Sequence, residues 1–191
     1  MQAMAHVGVL AIAFLLSVVA PAGADSSEAA SGRVTIILVR HAEKAADGTR
    51  DPRLSAEGQG RAIELARVLG DVRVTHLFAS EYQRTQLTLA PLAERTGLSV
   101  QERSARAPEA FIDELRALPD GAVVIVAGHS NTVPDLVKRL GGAPSGLEEH
   151  AKYGWLLPED EYGRLFVVTM TRTAEQPLEF SGCLELRYGN E

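Results

Sequence analysis

The sequence predicts an α/β domain, a three-layer α/β/α sandwich around a mainly parallel sheet. Three observations predict it. Ile36 to Val39 and Ala122 to Ala127 are apolar without alternation, as strands covered on both faces are. Segments of helical periodicity alternate with the strands. The two apolar runs end in Arg40-His41 and Gly128-His129, which brings polar groups to strand ends, where open α/β sheets take ligands.

The amino-terminal part stands apart. Val7 to Ala20 is a continuous apolar run of about 14 residues, short of the roughly 20 that span a bilayer. Ala22-x-Ala24 then has the small-residue pattern of a signal-peptidase site. Residues 1–24 therefore read as a signal peptide cut after Ala24, which implies a periplasmic or secreted protein with no stable membrane span after cleavage. No Lys or Arg precedes Val7, so an uncleaved anchor is the alternative. Residues 25–32 (DSSEAASG) are a polar linker, and residues 33–191 form one domain. About 167 residues remain after cleavage, enough for a substantial core.

Along the domain, Val34 to Val39 is the first strand, and a polar loop occupies residues 45–52. Ser55 opens a helix as its N-cap, with Glu57 in the first turn and Ala62, Leu65 and Leu69 as the buried stripe, up to Gly70. Val72 to Ala79 reads as the second strand. A helix follows from Tyr82 to Thr96, closed by Gly97, with Pro91 expected to kink or break it. Leu98 to Glu102 is a short third strand, and Pro108 starts a helix to Leu118. After the fourth strand, Ala122 to Ala127, a short helix runs from Val133 to Leu140. Residues 143–162 read as irregular, and Leu165 to Thr171 and Cys183 to Tyr188 as closing strands.

The net charge of −6 argues against a nucleic-acid footprint or an anionic-membrane binder. Cys183 is the single cysteine, which rules out an intrachain disulfide and a cysteine-based zinc cluster.

Three strand ends carry the chemistry. The first delivers Arg40 and His41, the second Ser80 with Arg84 one turn into the next helix, and the fourth His129. If these strands are parallel neighbours, two arginines and two histidines converge in a cationic pocket suited to a phosphoryl group, because a guanidinium matches phosphate oxygens in a bidentate way. The helix starting near Tyr82 adds its positive end.

These motifs resemble the histidine phosphatase superfamily, the phosphoglycerate mutase-like proteins. The hallmark Arg-His-Ala-Glu is matched by Arg40 to Glu43, the Ser…Arg-Thr signature by Ser80 to Thr85, and the Gly-His after a buried strand by Gly128-His129. Asp51 to Ala62 is similar to the family's Leu-Thr/Ser-x-x-Gly segment. The resemblance covers essentially the whole mature chain. It implies a phosphatase in which His41 is the nucleophile and passes through a phosphohistidine. Arg40, Arg84 and His129 hold the phosphoryl oxygens and stabilise the transition state, with Ser130 or Asn131 adding a hydrogen bond. Glu43 is weighed equally as a site residue and as a structural partner of Arg40 or Lys44. No metal or other cofactor is implied, since the arginines supply the positive charge.

Family members that cleave alkyl esters commonly carry a Glu or Asp general acid between the second and third motifs. Glu102 and Glu109 are the candidates here; Glu102 is preferred because it ends the short third strand. If neither reaches the pocket, substrates with good leaving groups are favoured. His76 is read as structural, His150 as exposed in the irregular segment, and Tyr82, Phe166 and Tyr188 as packing residues. Tyr153 and Trp155 read as loop packing, with a lid over the pocket as the alternative.

The sequence thus predicts an exported phosphatase acting on phosphomonoesters or phosphoramidates, its partner a phosphorylated small molecule or glycan. A mutase is the runner-up, disfavoured because only about 44 residues lie between Arg84 and His129. A non-catalytic phospho-ligand binder is the third reading. Oligomeric state is left open.

Overall fold

Strand β1 (Gly32–Arg40) runs through the interior of a six-stranded sheet ordered β3-β2-β4-β1-β7-β8 in the computed structural model, which describes residues 32–173 and 176–189. The expected signal peptide and all of the linker but Gly32 lie outside the described residues. β2 (His76–Ala79), β3 (Val100–Glu102) and β4 (Val123–Gly128) join β1 in parallel, while β7 (Arg164–Arg172) and β8 (Glu179–Arg187) complete the sheet antiparallel. The expected α/β sandwich with a mainly parallel sheet is the fold observed.

The unbroken apolar strands have a direct cause. In β1, Val34, Ile36 and Leu38 face one core, and Ile37 and Val39 face the other. In β4, Val124 and Val126 alternate with Ile125 and Ala127 in the same way. Helices α1 (Ala56–Val68) and α2 (Gln83–Thr96) pack against each other and supply Leu65, Ala66, Leu89 and Leu92 to one core. Helices α3 (Pro108–Arg116) and α4 (Thr132–Arg139) supply Phe111, Leu115, Leu136 and Val137 to the other. With both faces covered, no polar alternation survives.

Local signals behave as their chemistry requires. The Ser55 hydroxyl caps α1 by accepting from Gly58 N at 3.1 Å. Gly97 ends α2 with φ of 71°, the left-handed region glycine enters without strain. Pro91 does not break α2; Leu89 and Leu92, both fully buried, hold the helix to the sheet on either side of it. The second strand is shorter than expected: Val72 N donates to Leu69 O and Val74 N to Val72 O, so a turn uses up the chain before His76. Residues 143–162 are not wholly irregular, since β5 (Glu148–His150) and β6 (Gly154–Leu156) form a small antiparallel hairpin. Among the described residues no helix is long and apolar enough to cross a membrane.

Candidate active site

The strand order β2-β4-β1 puts three consecutive carboxyl ends side by side, with Arg40 in register with Gly128 and Ala79 with Ala127. His41, His129 and Ser80 each follow one of these ends and are all buried. The sheet topology therefore supplies the convergence that the motifs demand. His41 N donates to Gly128 O at 2.8 Å, which ties the two histidine-bearing turns together.

The two imidazoles have defined tautomers. His41 Nδ1 lies 2.8 Å from Ala42 O, and a carbonyl only accepts, so Nδ1 carries the proton and Nε2 keeps its lone pair. Burial pushes the His41 pKa down to about 3, against the pull of the Ala42 carbonyl and with the help of His129, Arg84 and Arg40. The His41 ring is thus neutral at physiological pH. The backbone behind it is pinned, because Thr88 Oγ1 accepts from Ala42 N at 2.9 Å and donates to Arg84 O at 2.7 Å.

His129 shows the opposite arrangement. Its Nδ1 lies 3.4 Å from Arg84 Nη2, a group that only donates, so Nε2 carries the proton and donates to Ser80 Oγ at 2.8 Å. Ser80 Oγ then donates to Thr85 Oγ1 at 2.8 Å, and Thr85 Oγ1 to Tyr82 O at 2.7 Å. The chain of hydrogen bonds has one direction and ends on a carbonyl. Burial, followed by Arg84, pushes the His129 pKa down to about 4. A phosphoryl dianion in the pocket offsets Arg84 and Arg40 and draws a proton back toward His129.

Both arginines are held from outside the pocket. Arg40 Nη1 donates to Pro158 O at 2.7 Å and Glu161 O at 3.2 Å, and its guanidinium lies 4.1 Å from the Tyr162 ring centroid. Burial lowers the Arg40 pKa, and Tyr162, Glu159 and Glu43 oppose that. Arg84 Nη1 lies 3.6 Å from the Asp51 carboxylate, and its guanidinium 4.4 Å from the Tyr82 ring centroid. The Nε of each arginine is buried without a partner, a donor left over in an otherwise satisfied site.

The pocket above these groups is lined by Arg40, His41, Arg84, His129, Ser130 and Asn131, as expected. Ser130 also accepts through its carbonyl from Leu157 N at 2.8 Å, which seats the loop that reaches Arg40. Three expectations need correction. Glu43 does not line the pocket; its carboxylate pairs with Arg61 at 2.6 Å and joins the start of the catalytic loop to α1. Glu102 is exposed at the outer edge of the sheet, accepting from Gln86 Nε2 at 3.3 Å, because β2 and β4 lie between its strand and β1. Glu109 is also exposed and pairs with Arg139.

Other residues are present that pattern did not single out. Tyr82 is more than a packing residue, since it lines the pocket and meets the His129 ring edge-on at 5.2 Å. Glu148 and Glu159 supply carboxylates to the lining, and Lys44 and Arg106 add positive charge. Tyr153 and Trp155 on the hairpin are 54% and 51% exposed, and Tyr153 stacks on His150 within it, with ring centroids 4.9 Å apart. The one sequence signal for these positions was their density of aromatic and acidic residues in a stretch without periodicity.

The mainly parallel α/β sheet with helices on both faces is the phosphoglycerate mutase-like fold, and it gathers His41, His129, Arg40 and, from the first turn of α2, Arg84. Residues 36–107 match the model of the histidine phosphatase superfamily (branch 1), the family to which the motifs point. Solved structures share the fold. The protein histidine phosphatase SixA complexed with tungstate matches at 18% identity and TM-score 0.54, over 78% of this chain and 96% of that one. A mycobacterial glucosyl-3-phosphoglycerate phosphatase complexed with VO3 matches at 18% identity and TM-score 0.55, over 77% and 96%. Mycobacterial hydrolase 2 matches at 19% identity and TM-score 0.57, over 79% and 88%. No curated protein matches the sequence. The family match supports a phosphatase, hence a hydrolase.

Proposed function

We propose that the chain hydrolyses phosphomonoesters, or phosphoramidates, through a phosphohistidine on His41, and that it works outside the cytoplasm after loss of residues 1–24. The observation that carries this reading is the His41 tautomer: Nδ1 donates to Ala42 O, which leaves Nε2 as a neutral nucleophile in a pocket lined by Arg40, Arg84 and His129.

The reaction follows from these positions. Nε2 of His41 attacks phosphorus in line, and the P–O bond to the leaving group breaks as the P–N bond forms. The imidazole becomes cationic, and Ala42 O, already accepting from Nδ1, stabilises that charge. Arg40 and Arg84 meet the charge on the phosphoryl oxygens, a contribution of the kind that typically costs about 10²–10³-fold when one donor is lost. The leaving oxygen takes a proton from solvent or from a protonated pocket carboxyl. Water then attacks phosphorus, and inorganic phosphate leaves with neutral His41 restored. Positive side chains supply the charge stabilisation here, and we propose chemistry that needs no metal.

The test is phosphate release from an aryl phosphate by the mature protein, with His41→Ala as control. Release should be lost by about 10³-fold or more in the variant, and rapid quenching in alkaline denaturant, where the P–N bond survives, should trap phosphate on His41 of the parent. Equal activity in the two proteins would sink the proposal. Saturable binding of a phosphorylated ligand with no release over hours would instead favour a binding protein, and interconversion of phosphoglycerates a mutase.

A further inference from the structure

We infer that a second pocket beside the phosphate site receives the substrate's leaving group, and that this group is apolar and ring-bearing. The inference rests on the phosphatase reading given above and narrows its substrate.

The second pocket is a cavity of about 410 Å³ at the carboxyl ends of β2 and β4, between the sheet, α3, α4 and the β5–β6 hairpin. Its size falls within the roughly 300–1,000 Å³ of small-molecule sites. Ala105, Asn131, Thr132 and Tyr153 line both this cavity and the phosphate pocket. A phosphoryl group at His41 therefore has its ester substituent within reach of the neighbouring cavity, across a wall only these residues thick.

The lining decides what chemistry fits. Phe78 and Phe111 meet edge to face at 5.3 Å, and Leu136 and Trp155 complete an apolar surface. Of the three charged residues in the lining, Arg103 and Asp135 are held in ion pairs. Arg103 pairs with Glu114 at 2.5 Å and lies over the Phe78 ring, Asp135 pairs with Arg139 at 2.7 Å, and Lys138 faces the Trp155 ring. A sugar or a carboxylate entering this cavity loses its water and finds few unpaired partners, which costs free energy. An apolar ring loses nothing of that kind and gains contact with aromatic faces. Tyr153 and Trp155 stay half exposed while lining the cavity, which leaves their ring surface open to a ligand.

An independent observation points the same way. Neither Glu102 nor Glu109 reaches the site, and the carboxylates of the phosphate pocket, Glu148 and Glu159, are absent from the lining of the second cavity, where the leaving group would sit. A phenolate leaves far more readily than an alkoxide, so an aromatic ester depends least on such an acid.

The experiment compares kcat/KM for phenyl phosphate and 2-naphthyl phosphate, whose phenolates leave with similar ease, and for glucose 6-phosphate. The naphthyl ester should exceed the phenyl ester by about tenfold or more, as added apolar area in a preformed pocket does. Trp155→Ala removes an exposed wall, and Ser104→Trp fills the cavity mouth from an exposed position. Both should bring the naphthyl-to-phenyl ratio close to one. Equal rates on the two aryl esters in the parent protein, a ratio unmoved by both substitutions, or a preference for glucose 6-phosphate overturns the inference and leaves the phosphatase reading intact. Hydrolysis of none of the three overturns both.

Discussion

The imidazoles of His41 and His129 lie 5.4 Å apart, nearly edge to face, and carry their protons on opposite nitrogens. One ring keeps its lone pair on Nε2, and the other is locked into a hydrogen-bond chain through Ser80 and Thr85. This division of labour comes from the neighbours of each ring: a carbonyl at Nδ1 of His41 and a guanidinium at Nδ1 of His129.

Low pH should destabilise the fold in a defined window. Both histidines have depressed pKa values when folded, about 3 and about 4, against 6.5 when unfolded. Between pH 6.5 and 4 the unfolded chain binds more protons, so stability falls as pH falls, by up to about 1.4 kcal/mol per histidine per pH unit. Urea denaturation at pH 7, 6 and 5 measures the slope, which should be shallower in His129→Gln. Nitrogen-15 NMR should show both rings neutral at pH 6 with opposite tautomers.

Thr88 should matter to stability and rate without touching substrate. Thr88→Val removes the acceptor of Ala42 N and leaves a buried donor unpaired, at a cost of about 1–3 kcal/mol. The kcat should fall with it, because the backbone beside His41 loses its anchor. Thr88→Ser keeps the hydroxyl and should recover most of both losses.

Two glycines two residues apart in α1, and so on nearly opposite faces of it, should respond with opposite sign. A Cβ at Gly58 would lie 2.2 Å from Glu43 O, a backbone atom that cannot yield, so Gly58→Ala should cost on the order of 1–3 kcal/mol or more. At Gly60 a Cβ meets nothing, and Gly60→Ala should stabilise the protein by up to about 1 kcal/mol. Thermal melting distinguishes the two.

Glu102→Gln and Glu109→Gln should each leave kcat/KM within about twofold on an alkyl phosphate. Loss of a working general acid costs typically about 10²–10⁴-fold, so steady-state kinetics gives a clear answer.

The contrast between Arg40-His41 and Glu102 shows where sequence reasoning succeeds and where it stops. An apolar run ending in Arg-His places both residues at a strand end whatever the rest of the chain does, and the same holds for Ser80 and His129. Glu102 also ends a strand, as expected, but reaching the pocket depends on strand order, and β3 lies two strands away from β1. No local pattern encodes that order. Glu43 follows His41 closely, yet the rotational phase of α1 brings Arg61 to its carboxylate, a pairing no local pattern encodes. Gly58 in Leu54-Ser55-x-x-Gly58 was legible as a motif element, while its cause, contact with Glu43 O, required the fold. Tyr82 and the Pro158–Tyr162 loop were missed because their contacts with His129 and Arg40 are long-range.

Arg40 lies 118 residues before Pro158 and 121 before Glu161 in the chain, and it is held by the carbonyls of both. Arg164, 2% exposed, anchors that loop by pairing with Glu161 and Glu185 at opposite sides of its guanidinium. The amino-terminal half of the domain, although it holds His41, therefore lacks the frame that aims its arginine. A chain still emerging from a ribosome carries His41 long before it carries Glu161. The frame around Arg40 is complete only when the last third of the polypeptide has docked, so on the proposed reading a chain cut before Pro158 should release no phosphate from phosphate esters.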